Sequence, residues 1–240
     1  VWQEKMTNAV SAAELIPGWV PVFSLETVAE LEPLLRERIV RRHIRAGVRV
    51  LDPNAVYIDP RVTIGRGTML LPGTILRGET AVGCGCTIGP NAVVRDCIIG
   101  SRTHVGPFAY VRPGCAIGDD IKVGDFVEVK NSAIGDGTKI SHLTYVGDSD
   151  VGRKVNFGCG TVTTNYDGVK KYRCTIEDGA FIGCNTNLVA PVTVGAGSYI
   201  AAGATITKDV PADALAVARA KQENKEGWAK RRRKLYGQEH

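Results

Sequence analysis

The chain has 240 residues, 44% of them hydrophobic but only 6% aromatic, which suits a long core of Val, Ile and Ala rather than one built around bulky rings. Seven Cys with no CxxC pair and no secretory leader point to reduced thiols in the cytoplasm, and no stretch approaches the length of a membrane span. The net charge of +5 owes much to Lys230, Arg231, Arg232, Arg233 and Lys234. With no RNA- or DNA-binding motif beside it, that run reads as a solvated helix, and nucleic acid is set aside as a partner.

Residues 1–24 show no period, and Pro17, Gly18 and Pro21 mark a turn-rich lead-in. From Ser24 to Ala46 the spacing becomes helical: Val28, Leu31, Leu35 and Ile39 fall on one face, and Gly47 supplies the stop. Pro33 lies inside this segment, so two helices or a kink are expected over residues 25–47. A helix here would cover the open strand edges of a sheet that follows.

From Ile58 onward a six-residue period takes over. Ile58, Ile64, Leu70, Leu76, Val82, Ile88 and Val94 recur in step; the series slips by one residue and resumes at Ile99, Val105, Val111, Ile117, Val123 and Val129. It slips again to Ile134, Ile140 and Val146, then to Val151, Phe157 and Thr163, and after an insertion returns at Ile176, Ile182, Leu188, Val194, Ile200 and Ile206. A helix would repeat its apolar stripe every three to four residues, so each hexad is instead a short strand and a turn. Three hexads close one triangular coil of a mostly β, parallel β-solenoid, with the large residue inward and Gly permitting the sharp corner. The solenoid is expected over residues 48–210, roughly eight to nine coils at ~4.8 Å each, a prism on the order of 40 Å long. Its long interruption, Asn165 to Lys171, exceeds the period by seven residues, and a loop that breaks so regular a repeat is expected to serve function. Residues 211–240 are expected to leave the solenoid as a basic, partly helical arm.

Counting coils brings distant residues together. Arg112 and Lys130 follow Val111 and Val129, one coil apart, and stack on one face ~4.8 Å from each other. The next coil reaches that face at Val146, which puts Tyr145 at the corner beside them. Two cations and a phenol, with no carboxylate partner in the hexad, suit a phosphate better than solvated surface charge. By the same count His142, Cys159, Cys184 and Ala202 are each the second residue after an inward one and form a column. Small side chains above a single His leave a straight groove ~14 Å long, suited to an extended pantetheine arm. The loop bearing Asn165 and Tyr166 is expected to project near it. An imidazole near neutrality is a suitable base for an amine. Metal is set aside, because His43, His104 and His240 lack the spacing of a three-His zinc site.

At these residues the chain resembles a known family. Lys130-Asn131, Ser141-His142-Leu143-Thr144-Tyr145-Val146-Gly147-Asp148, Asn165-Tyr166-Asp167-Gly168 and the run from Leu188 to Gly195 look like the acetyltransferase half of the bifunctional N-acetylglucosamine-1-phosphate uridyltransferase/glucosamine-1-phosphate acetyltransferases. The resemblance covers about Glu30 to Trp228. It implies a left-handed β-helix and a homotrimer with each site built between subunits. It also implies acetyl transfer from acetyl-CoA to the amine of glucosamine 1-phosphate, for UDP-N-acetylglucosamine and cell-envelope synthesis, with no metal needed. His142 matches the family's general base. Arg112, Lys130, Tyr145, Asn156 and Lys171 match its sugar-phosphate contacts, and Cys159, Asn165, Tyr166, Cys184, Ala202 and Arg219 fall at its acetyl-CoA positions. The family usually has Ala and Ser where Cys159 and Cys184 stand, and a thiol is only a weak donor.

The uridyltransferase half of that family needs a Gly-rich nucleotide loop and a metal-binding Asn before the linker helix. The loop is absent, and Phe23-Ser24-Leu25 stands where that Asn is sought. Residues 1–24 are therefore read as a candidate remnant of that half, and no nucleotidyl transfer is expected. Two other readings compete: a hexapeptide acyltransferase with a different amine or hydroxyl acceptor, and a trimeric scaffold that kept the prism and lost the chemistry.

Overall fold

Backbone amides of each coil donate to carbonyls of the next, and this pairing sorts the strands of the computed structural model, which describes residues 24–237, into three parallel sheets. Face A has ten strands, from Arg49–Val50 to Leu215–Ala216; face B has nine, from Tyr57–Ile58 to Thr205–Ile206; face C has eight, from Thr63–Ile64 to Val192–Val194. The chain visits A, B and C in turn and pairs each strand with the one three strands on, giving about nine turns of a parallel β-solenoid. The lead-in and candidate remnant expected before Ser24 lie outside the described residues.

The periodic residues point inward. Leu70, Ile88 and Ile140 on A, Leu76, Val129 and Val146 on B, and Ile117 and Ile176 on C are at most 2% exposed. Each stacks on its counterpart one coil away, as in Val123 on Ile140 and Ile140 on Phe157, and each such burial is worth roughly 1.5–3 kcal/mol. Two residues before many of them sits a small side chain that closes the corner. Thr68, Thr103 and Thr138 are fully buried there and donate to the carbonyls of Gly83, Gly118 and Gly152 at 2.8–2.9 Å. Cys86, Cys97, Cys115 and Cys174 occupy the same position, and the Cys86 thiol donates to the Gly100 carbonyl at 3.0 Å. These four thiols are thus corner residues of the core. Between C and A, Asp119, Asp136 and Asp178 accept from the amides of Ser101, Asp119 and Arg153 at 2.7–2.8 Å. Gly118 is required there, because a Cβ would lie 2.3 Å from the Asp136 carboxylate.

A single helix, α1 (Leu25–Arg45), precedes the prism, capped by Ser24, whose hydroxyl accepts from the Thr27 amide at 3.2 Å. It is one helix with Pro33 inside it, and not two helices, one of the expectations for this segment. The carbonyl that Pro33 leaves without a donor belongs to Ala29, on an exposed part of the helix where water can serve it. Only the C-terminal half of α1 packs: Ile39, Val40 and His43 are buried on the first strands of faces A and B, while Val28 is exposed. At the other end, pairing runs past the expected boundary at Val210, because Leu215–Ala216 adds a strand to face A against Tyr199–Ile200. Pro211 falls at a corner, where no ladder amide is needed. Of the basic arm, Trp228–Leu235 forms a helix, α2, with no buried residue.

His43 is 5% exposed, and burial first, with the Arg42 charge second, lowers its pKa to about 4. The unfolded chain takes up this proton near pH 6.5, so the folded state loses stability as pH falls from about 6.5 to about 4 and is unaffected above that window. His43→Gln should flatten the loss by no more than about 3 kcal/mol, read from denaturant unfolding at several pH values across the window. An unchanged pH dependence would assign the effect to other groups.

Candidate active site

Each corner recurs once per coil, so the residues of one edge stack in register. Along the edge between A and B the inward residues Val123, Ile140, Phe157, Ile182 and Ile200 pair in succession. Two residues beyond them stand Asp125, His142, Cys159, Cys184 and Ala202, so the expected column is present. Its foot lies one coil deeper than expected: Asp125 pairs with His142, and His142 Nδ1 lies 2.6 Å from Asp125 Oδ1. A carboxylate can only accept, so Nδ1 carries the hydrogen and Nε2 keeps its lone pair free. The His142 hydrogen bond holds the Asp125 carboxyl below its ordinary range, so it stays ionised. Higher up, Cys159 is half-buried and Cys184 and Ala202 are exposed. Arg219 folds back over the column and donates Nη1 to the Ala202 carbonyl at 3.0 Å.

The slips in the period all fall at the edge between B and C. In the shortened corners Asp96, Asn131 and Asp148 have φ of 48°, 45° and 48°, the left-handed region in which Asn and Asp are enriched. Two such corners in succession set Gly147-Asp148 above Lys130-Asn131. Asp148 is 5% exposed, and its carboxylate accepts from Lys130 at 3.3 Å and from the amides of Asn131 and Asn165. Burial alone would raise this carboxyl, but Asn131, Lys130 and Asn165 together outweigh it and hold the pKa below its ordinary value.

Arg112, one coil below Lys130, pairs with Glu128 at 2.8 Å. Both expected cations therefore have carboxylate partners, a correction to the reading of unpaired charge; Asp148 lies a coil away from Lys130 and escapes any count within the hexad. The surplus positive charge is Lys171. Lys130 lies against it and lowers its pKa, by hydrogen bonding first and repulsion second, and Lys171 forms no ion pair among the described residues. The Tyr145 hydroxyl completes the cluster. It occupies the space over Gly147, where a Cβ would lie 2.2 Å away, and accepts from Asn165 at 3.4 Å.

The insertion leaves the prism at this same edge, between Val162–Thr164 on B and Cys174–Ile176 on C. Arg173 clamps its base by donating to Asp150 at 2.6 and 2.8 Å and to the carbonyls of Asn131 and Ser149 at 3.1 Å. At its tip Asp167 accepts from the amides of Val169 and Lys170 at 2.7 and 2.6 Å, and a bridge between Tyr166 and Lys171 turns the chain back toward Lys130. Within one copy, Asn165 and Tyr166 thus leave from the edge of face B opposite to the one that carries His142 and the column. Asn156 is set apart as well, on the outer side of face A between Lys139 and Phe181. Among the described residues no three His, Cys, Asp or Glu side chains converge on a metal position, and no helix is long and apolar enough to cross a membrane.

A profile of the GMPPB C-terminal domain matches residues 43–127, and one of the bacterial transferase hexapeptide (six repeats) matches residues 173–208. The chain is 51% identical over 222 residues to the bifunctional protein GlmU of Geobacillus thermodenitrificans, covering 86% of this chain and 48% of that protein. It is 44% identical over 246 residues to the bifunctional protein GlmU of Alkaliphilus metalliredigens, covering 96% of this chain and 54% of that one. A solved UDP-N-acetylglucosamine acyltransferase from Arabidopsis shares the fold, with a TM-score of 0.55 at 18% identity over 70% of this chain and 69% of the other. The repeats and these matches place the chain in the hexapeptide-repeat acyltransferase family. Within that family it is homologous to the C-terminal half of the bifunctional GlmU proteins, and it spans about half the length of the curated relatives it matches.

The burial pattern sorts the seven thiols. Brief alkylation of the native protein should label Cys84, Cys159 and Cys184, while Cys86, Cys97, Cys115 and Cys174 should label only after unfolding. Peptide mapping that found Cys159 and Cys184 as protected as Cys97 would show that the column faces inward.

Proposed function

We propose that the chain transfers the acetyl group of acetyl-CoA to the amine of glucosamine 1-phosphate, giving N-acetylglucosamine 1-phosphate for UDP-N-acetylglucosamine and cell-envelope synthesis. The edge between B and C carries this reading. Three cations stand there against two carboxylates, with a phenol and an amide between them, a surplus suited to a phosphate monoester. Homology to the GlmU acetyltransferase half supports the same acceptor and donor.

In this mechanism Arg112, Lys130, Lys171 and Tyr145 hold the sugar phosphate, and Asn156 contacts the sugar. An ammonium has no lone pair, so the amine must lose a proton to attack the thioester carbonyl. That first proton goes to solvent before attack. As the neutral amine forms the C–N bond, His142 Nε2 accepts a second proton from the same nitrogen, Asp125 holds the ring in the required tautomer and stabilises the imidazolium, and the imidazolium can return its proton to the departing sulfur. The CoA thiolate leaves as the tetrahedral adduct collapses. Acetyl-CoA lies along the column over Cys159, Cys184 and Ala202, with Arg219 at its far end and with Asn165 and Tyr166 reaching it from the B–C edge of a second copy. Seven free thiols suit a cytoplasmic setting.

One copy keeps the two halves of this site apart. The amine and phosphate of glucosamine 1-phosphate sit on adjacent ring carbons, whereas His142 and the Lys130 corner stand on opposite edges of face B, on the order of 10 Å apart for a three-residue strand. A second copy that presents its B–C edge to the A–B edge of the first closes the gap, and a threefold rotation repeats the contact without leaving an end. The active form is thus a homotrimer with sites between subunits.

Two sets of variants test the reading, with turnover followed by release of the CoA thiol. His142→Ala should lower kcat by about 10²- to 10⁴-fold with acetyl-CoA affinity retained; near-normal turnover at neutral pH would remove His142 as the base. Asp125→Asn should also lower kcat with both KM values unchanged, by a smaller factor than His142→Ala. Lys171→Ala, at an exposed position, should raise KM for glucosamine 1-phosphate about 10-fold or more while leaving KM for acetyl-CoA alone. If Lys171→Ala and Arg112→Ala both left that KM unchanged, or if plain glucosamine served as well, the phosphate site would be wrong.

A further inference from the structure

Cys159 and Cys184 are 25 positions apart in the chain but occupy the same corner of consecutive coils, since Phe157 and Ile182 before them are register partners. The Asn185 amide donates to the Cys159 carbonyl at 2.8 Å, so the two turns are joined by backbone directly at the thiols. Neighbouring coils lie ~4.8 Å apart, inside the Cα–Cα range of about 4.4–6.8 Å that a disulfide spans. Cys184 is exposed and Cys159 half-buried.

A second pair in the molecule has the same register and serves as its contrast. Cys97 and Cys115 precede the partners Ile98 and Ala116, but they are only 2% and 4% exposed. The Cys97 thiol donates to the carbonyls of Arg95 at 2.8 Å and Arg112 at 2.9 Å, closing a corner of the core. Cys159 and Cys184 make no side-chain hydrogen bond among the described residues and fill no core position. They are a stacked, accessible dithiol with no structural task of that kind.

We propose that Cys159 and Cys184 form a reversible disulfide across the A–B edge, directly above His142, under a hydroperoxide oxidant. The more exposed Cys184 thiolate attacks the peroxide oxygen, the O–O bond breaks, and a sulfenic acid forms as water or an alcohol leaves. The Cys159 thiolate then attacks the Cys184 sulfur; the S–S bond forms, the S–O bond breaks, and the oxygen leaves as water once protonated. A dithiol reductant reverses the result by thiol–disulfide exchange. The bond would lie in the path assigned to the pantetheine arm, so oxidation closes the groove to acetyl-CoA. This last consequence rests on the function proposed above; the formation of the bond does not.

The full chain, treated with hydrogen peroxide, alkylated and mapped without reduction, should show one new cross-link, Cys159 to Cys184, in a chain two hydrogens lighter. Cys97 and Cys115 should be recovered as thiols after unfolding, and dithiothreitol should restore the starting mass. In Cys159→Ser the cross-link should be lost and a sulfenic acid at Cys184 should be trapped by a cyclic diketone. Acetyl-CoA at about ten times its dissociation constant should slow cross-linking about tenfold, the factor by which it depletes the empty groove. Oxidation of both residues to separate sulfinic acids, or cross-linking only between two copies, would overturn the proposal even if acetyl transfer were intact. A bond that forms within the chain at the same rate with saturating acetyl-CoA would overturn the groove closure, and with it the placement of the acyl donor on this column.

Discussion

The rest of the structure depends on the coil-to-coil hydrogen bond. Once each coil must pair with the next at ~4.8 Å, with inward residue on inward residue, the strands have no freedom left in length or register. A slip within a strand would turn its aliphatic residue out to solvent. The same slip at a corner costs only a tighter turn, and that is where it is found: Ile117 still meets Ile134, and Val129 still meets Val146, across coils that have lost a residue between faces B and C. The insertion at Asn165 obeys the same rule, since Ser149, Asp150 and Val151 pair with Cys174, Thr175 and Ile176 as though it were absent. Variation is confined to edges, and the candidate chemistry is found on two of them.

The B–C edge shows how a cluster of cations and amides is assembled around a carboxylate of its own. Asp148 sits nearly out of water in a left-handed corner, where an unpaired carboxylate would be strongly unfavourable. Lys130 and Asn131 reach it from the coil below and Asn165 from the inserted loop. One carboxylate therefore fixes the direction of a cation and pins the start of the loop, while Arg173 on Asp150 pins its end. Held at both ends, the loop returns Lys171 to Lys130, whose hydrogen bond first and charge second lower the Lys171 pKa. Tyr145 can lean into the cluster because Gly147 leaves the room.

Much of this was legible in the chain because a solenoid turns sequence distance into spatial contact at a fixed rate. The inward residues follow from the period, and so does the column from His142 to Ala202. Asp125 obeys the same count and lay one coil below the point where counting stopped. Glu128 and Asp148 were missed for another reason: hexad position says which edge or face a residue occupies but not which neighbour its side chain selects, and ion pairs form between coils. The edge from which the loop leaves follows from the strands that flank it, Val162–Thr164 on B and Cys174–Ile176 on C. Pro33 is accommodated inside one helix, where the Ala29 carbonyl it leaves without a donor is exposed to water.

The filled core also decides where chemistry can occur. With the inward residues of most consecutive coils stacked on one another at 6% exposure or less, the interior is filled by the chain's own aliphatic side chains and leaves the outer edges as the place for a substrate. His142 is 54% exposed beside Asp125 at 35%, and in bulk water a hydrogen bond between them gains little and a developing imidazolium needs little help. The pair becomes effective only when water is displaced from it, which raises the strength of each charge interaction. Among the described residues no segment covers this edge below Cys159, and the surplus cation and loop that would complete the site stand on the opposite edge of face B. On the proposed function, a second copy would supply both the cover and the missing charges in one contact. In the proposed function, then, association and catalysis would have one physical cause, a core packed too tightly to hold a substrate.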